Sequence, residues 1–268
     1  MKIKKTLYLS DKHWPKTNMP AFRAALQWAQ QNKPERIVLL GDNLDCEPVS
    51  RHNKGKPGLK ETGGLRKDID GFLSHILLPL EQAAPNAERV IFEGNHEAWV
   101  EQMLEEQPEL KGCLDIPHLL DLKRRGWEWV PQGEHRMFGK VAALHGDSIG
   151  SSLHVAKKLV DTYCCTAVMG HVHKGSMYTK TSAAKKQDKW VGITLPGLCD
   201  LSPRYGKGAP NAWSLGCGIQ EEWDEYFNMY VVFITNGQFV YGGKMYGDRK
   251  STRLNSSHEI PSRMPSSA

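Results

Sequence analysis

The sequence predicts an α/β fold with a mixed core. Three observations carry that reading. Between residues 3 and 173, short apolar runs alternate with longer segments of helical periodicity. Beyond residue 173, hairpin-like runs replace the helical segments. Five apolar runs, TLYLS, RIVLL, RVIFE, VAAL and TAVM, each end in a polar cluster, as carboxyl ends of parallel strands do where they meet at a site.

The elements follow in order. A strand is expected over residues 3–9 and a helix over 20–31, with Pro20 suited to its first turn. A strand over 36–40 leads to a Gly-, Lys- and Pro-rich loop, 47–64, and a helix over 65–82. A strand over 89–93 precedes helices over 97–106 and 116–125. Short strands over 127–130 and 135–138 come before a strand over 140–144, a helix over 153–163 and a strand over 166–169. In the last part, a strand over 190–195 and a hairpin of YVVFIT and QFVYGG about Asn236-Gly237 complete the chain, because Asn-Gly supplies the two left-handed residues of a tight hairpin turn. No internal repeat is present, and residues 1–247 read as a single domain.

Composition narrows the class. The 268 residues contain no run of about 18 apolar residues, so no membrane span and no membrane partner is expected. Six cysteines without CxxC spacing read as reduced, mostly buried thiols, including the adjacent Cys164 and Cys165, and imply a cytoplasmic protein. Residues 248–268 are Ser-rich and aperiodic. One encoding of DRKSTRLNSSH matches a common sequencing-library adapter, so the segment is expected to be adapter read-through and disordered, with the natural C-terminus missing. Without its four Lys/Arg and two Asp/Glu the formal charge falls from +5 to +3. That excess is too small to imply a nucleic-acid partner.

The polar clusters carry the chemistry. They are Asp11-Lys12-His13, Gly41-Asp42-Asn43-Leu44-Asp45, Gly94-Asn95-His96-Glu97, His145-Gly146-Asp147 and Gly170-His171-Val172-His173. Asp, His and Asn are ligands of divalent metals, and glycine beside them permits close backbone approach. A carboxylate such as Asp42 has two oxygens and can bridge two cations. Asp45 can ligate or can hold a ligating His, and GDxxD can equally be a capped helix start. His96 is of a residue type that suits proton transfer. Any one His alone reads as structural; the five clusters together read as a two-metal site. Mixed Asp/His/Asn ligation suits manganese, iron or zinc better than calcium.

The set DxH, GDxxD, GNHE, HGD and GHVH resembles the calcineurin-like metallophosphoesterase family over about residues 2–173. The resemblance implies a four-layer α/β/β/α sandwich around a dinuclear centre. It implies that Asp11 and His13 bind one metal, that Asp42 bridges, that Asn95, His145 and His171 bind the second metal, and that His173 returns to the first. His96 is then the proton donor or transition-state stabiliser, and Asp45 a supporting residue. The implied reaction is phosphodiester hydrolysis by metal-activated water, with a nucleotide or DNA end as the partner substrate. CEPVSRHNKG and TLPGLCDLSPRYGKGAPNAWSLG resemble a subset common in bacterial viruses and their hosts. Within them Arg51 and His52 face either a substrate phosphate or solvent. Cys46 and Glu47 follow Asp45 where the family's protein phosphatases have Arg-Gly, which argues against protein dephosphorylation. The alternatives are a phosphomonoesterase, a nucleotide-sugar-lipid pyrophosphohydrolase and a non-catalytic scaffold on the same fold.

Overall fold

The structure, a computed structural model, describes residues 3–50, 64–185, 189–202 and 211–247. Arg51, His52 and residues 248–268 lie outside the described residues.

Two sheets face each other. The first has the order β11-β10-β1-β2-β3-β4, where β1 is Lys4–Leu9, β2 Arg36–Leu40, β3 Glu88–Phe92, β4 Trp127–Val130, β10 Gly216–Trp223 and β11 Tyr226–Phe233. Strands β1 to β4 run parallel, and β10 and β11 add antiparallel to the β1 edge. The second sheet has the order β5-β6-β7-β9-β8, with β5 Arg136–Phe138, β6 Val141–Leu144, β7 Thr166–Met169, β8 Ser176–Thr181 and β9 Lys189–Thr194. Its central strands β6, β7 and β9 are parallel.

Alternation along the strands explains the layering. Tyr8, Val38, Leu40, Val90 and Phe92 point from the first sheet into a core shared with Val141, Ala143, Val168 and Ile193 of the second. The intervening Leu7, Leu9, Ile37, Leu39 and Ile91 face the opposite way. They pack under helices α1 (Met19–Asn32), α2 (Leu65–Phe72), α3 (Leu78–Ala83) and α4 (Asn95–Glu106). Strands buried on both faces read as continuous apolar runs, which is why RIVLL and VAAL are so plain in the sequence. On the far side, Ala142, Leu144, Ala167 and Met169 meet α7 (Val155–Tyr163). The result is a four-layer α/β/β/α sandwich, as the resemblance implies. No helix among the described residues is long and apolar enough to cross a membrane.

Local chemistry sets the boundaries. Asn18 caps α1 by accepting from the Ala21 N–H at 3.1 Å, with Pro20 in the first turn. The helix expected over 65–82 continues from α2 to α3 through a π-type turn, Leu73–Leu77. The helix expected over 116–125 instead breaks into α5 (Ile116–Leu119) and α6 (Leu122–Arg125), because Asp121 between them is left-handed at φ 52°.

The expected hairpin needs correction too. Asn236 and Gly237 do form a tight turn, with φ 50° and 70°, but only Thr235 and Gln238 pair across it. The flanking runs go to different partners: β11 pairs with β10, and β12 (Phe239–Tyr241) pairs with β13 (Lys244–Tyr246). The cysteines also differ from expectation. All six are free thiols, but only Cys46, Cys199 and Cys217 are buried, and Cys164 is exposed where it ends α7.

Candidate metal centre

The carboxyl ends of β1, β2 and β3 in one sheet, and of β6 and β7 in the other, open onto the same edge of the sandwich. Main-chain hydrogen bonds stitch them together: Asp11 N donates to Gly41 O at 3.2 Å, His13 N to Asp42 O at 2.9 Å, and Gly170 N to His145 O at 2.9 Å. The loops then leave the strands through strained residues. Asp11, His13, Asp42, His171 and His173 all have positive φ, between 44° and 66°. Such conformations cost on the order of 1 kcal/mol or more each and cluster at functional sites. The five side chains fall into two groups that share Asp42.

Two glycines make the approach possible. A Cβ on Gly94 would lie 2.2 Å from the Asp42 amide nitrogen, and one on Gly170 would lie 1.8 Å from Ser10 Oγ and 2.8 Å from Asp11 Oδ2. Neither position accepts a side chain without moving a residue of the centre.

Four groups of side chains could hold a cation among the described residues. Two of them, His13 with Asp45 and His96 and His13 with His173 and Cys199, extend from the same His13; the other two bring the expected ligands together. In the first, Asp11, His13, Asp42 and His173 each offer an atom within 4.8 Å of the others, and all four are buried. His13 Nε2 and His173 Nε2 face each other at 3.2 Å, and His173 Nε2 lies 3.3 Å from Asp11 Oδ1. In the second, Asp42, His145 and His171 meet the same limit. His145 Nε2 lies 3.4 Å from Asp42 Oδ2 and 3.1 Å from Asn95 Oδ1. Asp42 is common to both clusters.

The arrangement resembles the calcineurin-like metallophosphoesterases. No family model matches the chain. It is 23% identical over 262 residues to the Gene 54 protein of Mycobacterium phage L5, covering 91% of this chain and 98% of that protein. Vacuolar protein sorting 29 from Cryptosporidium parvum is similar at a TM-score of 0.47 and 13% identity, covering 92% of this chain and 99% of that one. A dimetal phosphatase from Danio rerio is similar at a TM-score of 0.42 and 13% identity, covering 84% and 95%.

The donor set fits divalent cations. Each imidazole nitrogen turned away from the centre bears on its tautomer. The Nδ1–H of His145 donates to the Leu40 carbonyl at 2.7 Å, which leaves Nε2 as a lone-pair donor. His173 Nδ1 lies 3.5 Å from the buried Cys199 Sγ. His171 Nδ1 is buried without a hydrogen-bond partner among the described residues, an orphan that a cation beside Asp42 and His145 would satisfy. His13 Nδ1 lies 3.3 Å from Asp45 Oδ1, close enough for charge attraction but poorly aligned for a hydrogen bond.

Electrostatics follows from packing charges out of water. Burial works to raise the pKa of Asp11, yet His173 beside it outweighs that and holds the carboxyl down at about 2. Asp42 is likewise held well below the carboxylate range, burial being outweighed by His145, His96 and His13. Burial opposes protonation of His145, but the Asp42 carboxylate lifts its pKa to about 10. Burial pulls His13 and His171 downward, toward the neutral form that binds metal.

His96 stands beside the clusters. Its backbone N–H donates to Asp42 Oδ1 at 3.0 Å, and its Nδ1–H donates to the Asp45 carbonyl at 2.8 Å. The ring is half-buried, 4.4 Å from the His13 ring and 4.1 Å from that of Trp99 between centroids. Asp45 sits behind His13 and takes an ion pair from Lys16 Nζ at 2.6 Å.

Several contributors escaped the sequence reading. Glu97 is buried and binds two motif loops at once: it accepts from the Asn43 and Leu44 amides at 2.6 and 2.7 Å, and from Gly94 N at 2.8 Å. A Glu three residues into a helix start was the available signal. Cys199 and Trp213, whose ring lies 4.2 Å from that of His173, come from TLPGLCDLSPRYGKGAPNAWSLG, a segment that stands out as a whole but assigns neither residue a role.

Proposed function

We propose that this chain is a dinuclear metal-dependent phosphoesterase that hydrolyses phosphodiesters, with nucleotides or DNA ends as substrates. One observation carries the reading: Asp42 belongs to both ligand clusters, so a single carboxylate can join two cation positions. Bound divalent cations, of manganese, iron or zinc, would supply Lewis acidity toward the phosphoryl oxygens and lower the pKa of an attacking water.

The chain's own residues do the rest. Asp11, His13, Asp42 and His173 would hold one cation, and Asp42, Asn95, His145 and His171 the other. The main-chain stitching between β1, β2, β6 and β7 fixes these groups before substrate arrives. Because Nδ1 of His96 is committed to the Asp45 carbonyl, its Nε2 is the nitrogen available to pass a proton to the leaving oxygen. Asn95, its chain neighbour, fixes the position of that imidazole through the second cluster. The complete donor set favours catalysis over the scaffold reading.

The test is a hydrolysis panel under manganese: bis-p-nitrophenyl phosphate, p-nitrophenyl phosphate, cyclic nucleotides, and single- and double-stranded DNA. Turnover of the diesters exceeding that of the monoester supports the proposal. Absence of both bound metal and hydrolysis overturns it.

A further inference from the structure

A groove lies beside the segment that carries His171 and His173, lined by Val172 and Lys174, the chain neighbours of His173. Its floor is Val172, Lys174, Gly175 and Ser176, and its cavity measures about 390 Å³. That is within the range of small-molecule sites, roughly 300–1,000 Å³. The floor is pinned on both sides of Lys174: Ser214 N donates to His173 O at 2.9 Å, and Thr194 Oγ1 donates to Lys174 O at 2.7 Å. The groove therefore keeps a fixed position relative to the ligand His173.

Its chemistry is one-sided. Among the described residues no carboxylate lines it, and Lys174 is the one charged side chain there. Lys174 is exposed, and its ammonium makes no ion pair or hydrogen bond with any described residue. Against the neighbouring Gly175 lies Phe233, 52% exposed, its ring so close to the main chain that a Cβ on Gly175 would lie 2.6 Å from Phe233 Cζ. Leu153, 95% exposed, borders the same space, and Ser151 and Ser152 add hydroxyls. A cation, an aromatic face and hydroxyls match a phosphate, a base and a ribose. A larger cavity beside α4, about 590 Å³, has the opposite character: Glu93, Glu97, Glu101, Glu105 and Asp115 line it with only Lys111 to offset them, so it repels phosphate.

We infer that this groove binds a nucleotide unit of the substrate next to the scissile bond, with Lys174 on its phosphate and Phe233 against its base. The inference rests on the phosphoesterase reading and names the substrate class of that site. It places selection of the nucleotide on residues outside the metal clusters.

The experiment has two arms on the full chain. In the first, metal-free protein is titrated with thymidine 5′-monophosphate by calorimetry. Wild type should bind, Lys174→Glu and Phe233→Ala should each weaken binding at least about tenfold, and Lys174→Arg should retain it and so report an intact fold. In the second, manganese-loaded protein is assayed on thymidine 5′-(p-nitrophenyl phosphate) and on methyl p-nitrophenyl phosphate. The ratio of kcat/KM for the two esters should fall at least tenfold in Lys174→Glu. Hydrolysis with no nucleotide binding, or with a ratio that neither substitution moves, overturns the groove. Nucleotide binding that depends on Lys174, without hydrolysis of either ester, supports the groove and overturns the phosphoesterase reading instead.

Discussion

Asp42 Oδ2 lies 3.4 Å from Nε2 of His145, whose other nitrogen is tied to the Leu40 carbonyl at 2.7 Å. The same strand end thus supplies the carboxylate and orients the imidazole that faces it. Asp42→Asn keeps the shape and removes the charge that both clusters share. It should lose metal from both positions and lower kcat more than about 100-fold, beyond the roughly 10–100-fold that loss of an outer hydrogen-bond partner costs. Elemental analysis and bis-p-nitrophenyl phosphate turnover check this; a variant with wild-type rate refutes the assignment.

His96 gives a different signature. Its ring touches His13 and Trp99, and its Nδ1 is committed to the main chain. His96→Ala should therefore slow turnover by about 10²–10⁴-fold while metal content stays near that of wild type. Loss of metal from both positions in this variant would make His96 a ligand.

Cys199 acts through His173. The buried thiol holds Nδ1 of that imidazole from 3.5 Å and keeps Nε2 directed at Asp11 and His13. Cys199→Ala should weaken manganese binding by about tenfold, and Cys199→Ser, which restores a hydrogen-bond partner, should recover most of it. Equal affinity in both variants and wild type removes Cys199 from the account.

The His145–Asp42 pair makes the apoprotein sensitive to pH. Asp42 outweighs the burial that disfavours a charged His145 and raises its pKa from 6.5 to about 10. A raised pKa contributes stability that is fully present below about 6.5 and is lost as pH rises through about 10. Denaturation midpoints of stripped protein should therefore fall across that window, and less so in His145→Gln. Metal must displace the same proton, so manganese affinity should climb with pH, by up to tenfold per unit for the one proton. Affinity that stays flat from pH 6.5 to 9 contradicts the pairing.

Strands buried on both faces and ended by Gly, Asp or His were legible, which is why β1, β2, β3, β6 and β7 and their clusters could be read directly. Strands without that contrast were not. β8, SMYTKT, sits at a sheet edge with most of its side chains exposed or half-exposed, so polar residues dominate it. β10, GCGIQEEW, opens with two glycines and ends in acids, yet it buries Cys217 and Ile219 against the helices and pairs with β1. The Asn236-Gly237 turn was legible, but strand partners depend on which sheet has a free edge, and that is a property of the whole fold. The candidate ligands were readable because each sits beside its own strand. Cys199 and Trp213, which contact His173, lie in a segment that was recognisable as a whole, but their contacts form only in the folded chain.

The central claim is that Asp42 joins two cations in one catalytic centre. Stripped protein titrated with manganese while bis-p-nitrophenyl phosphate turnover is followed tests it most directly. The account predicts a rate that climbs until two equivalents per chain are bound and is flat beyond. A rate complete at one equivalent, or no turnover at any, contradicts it.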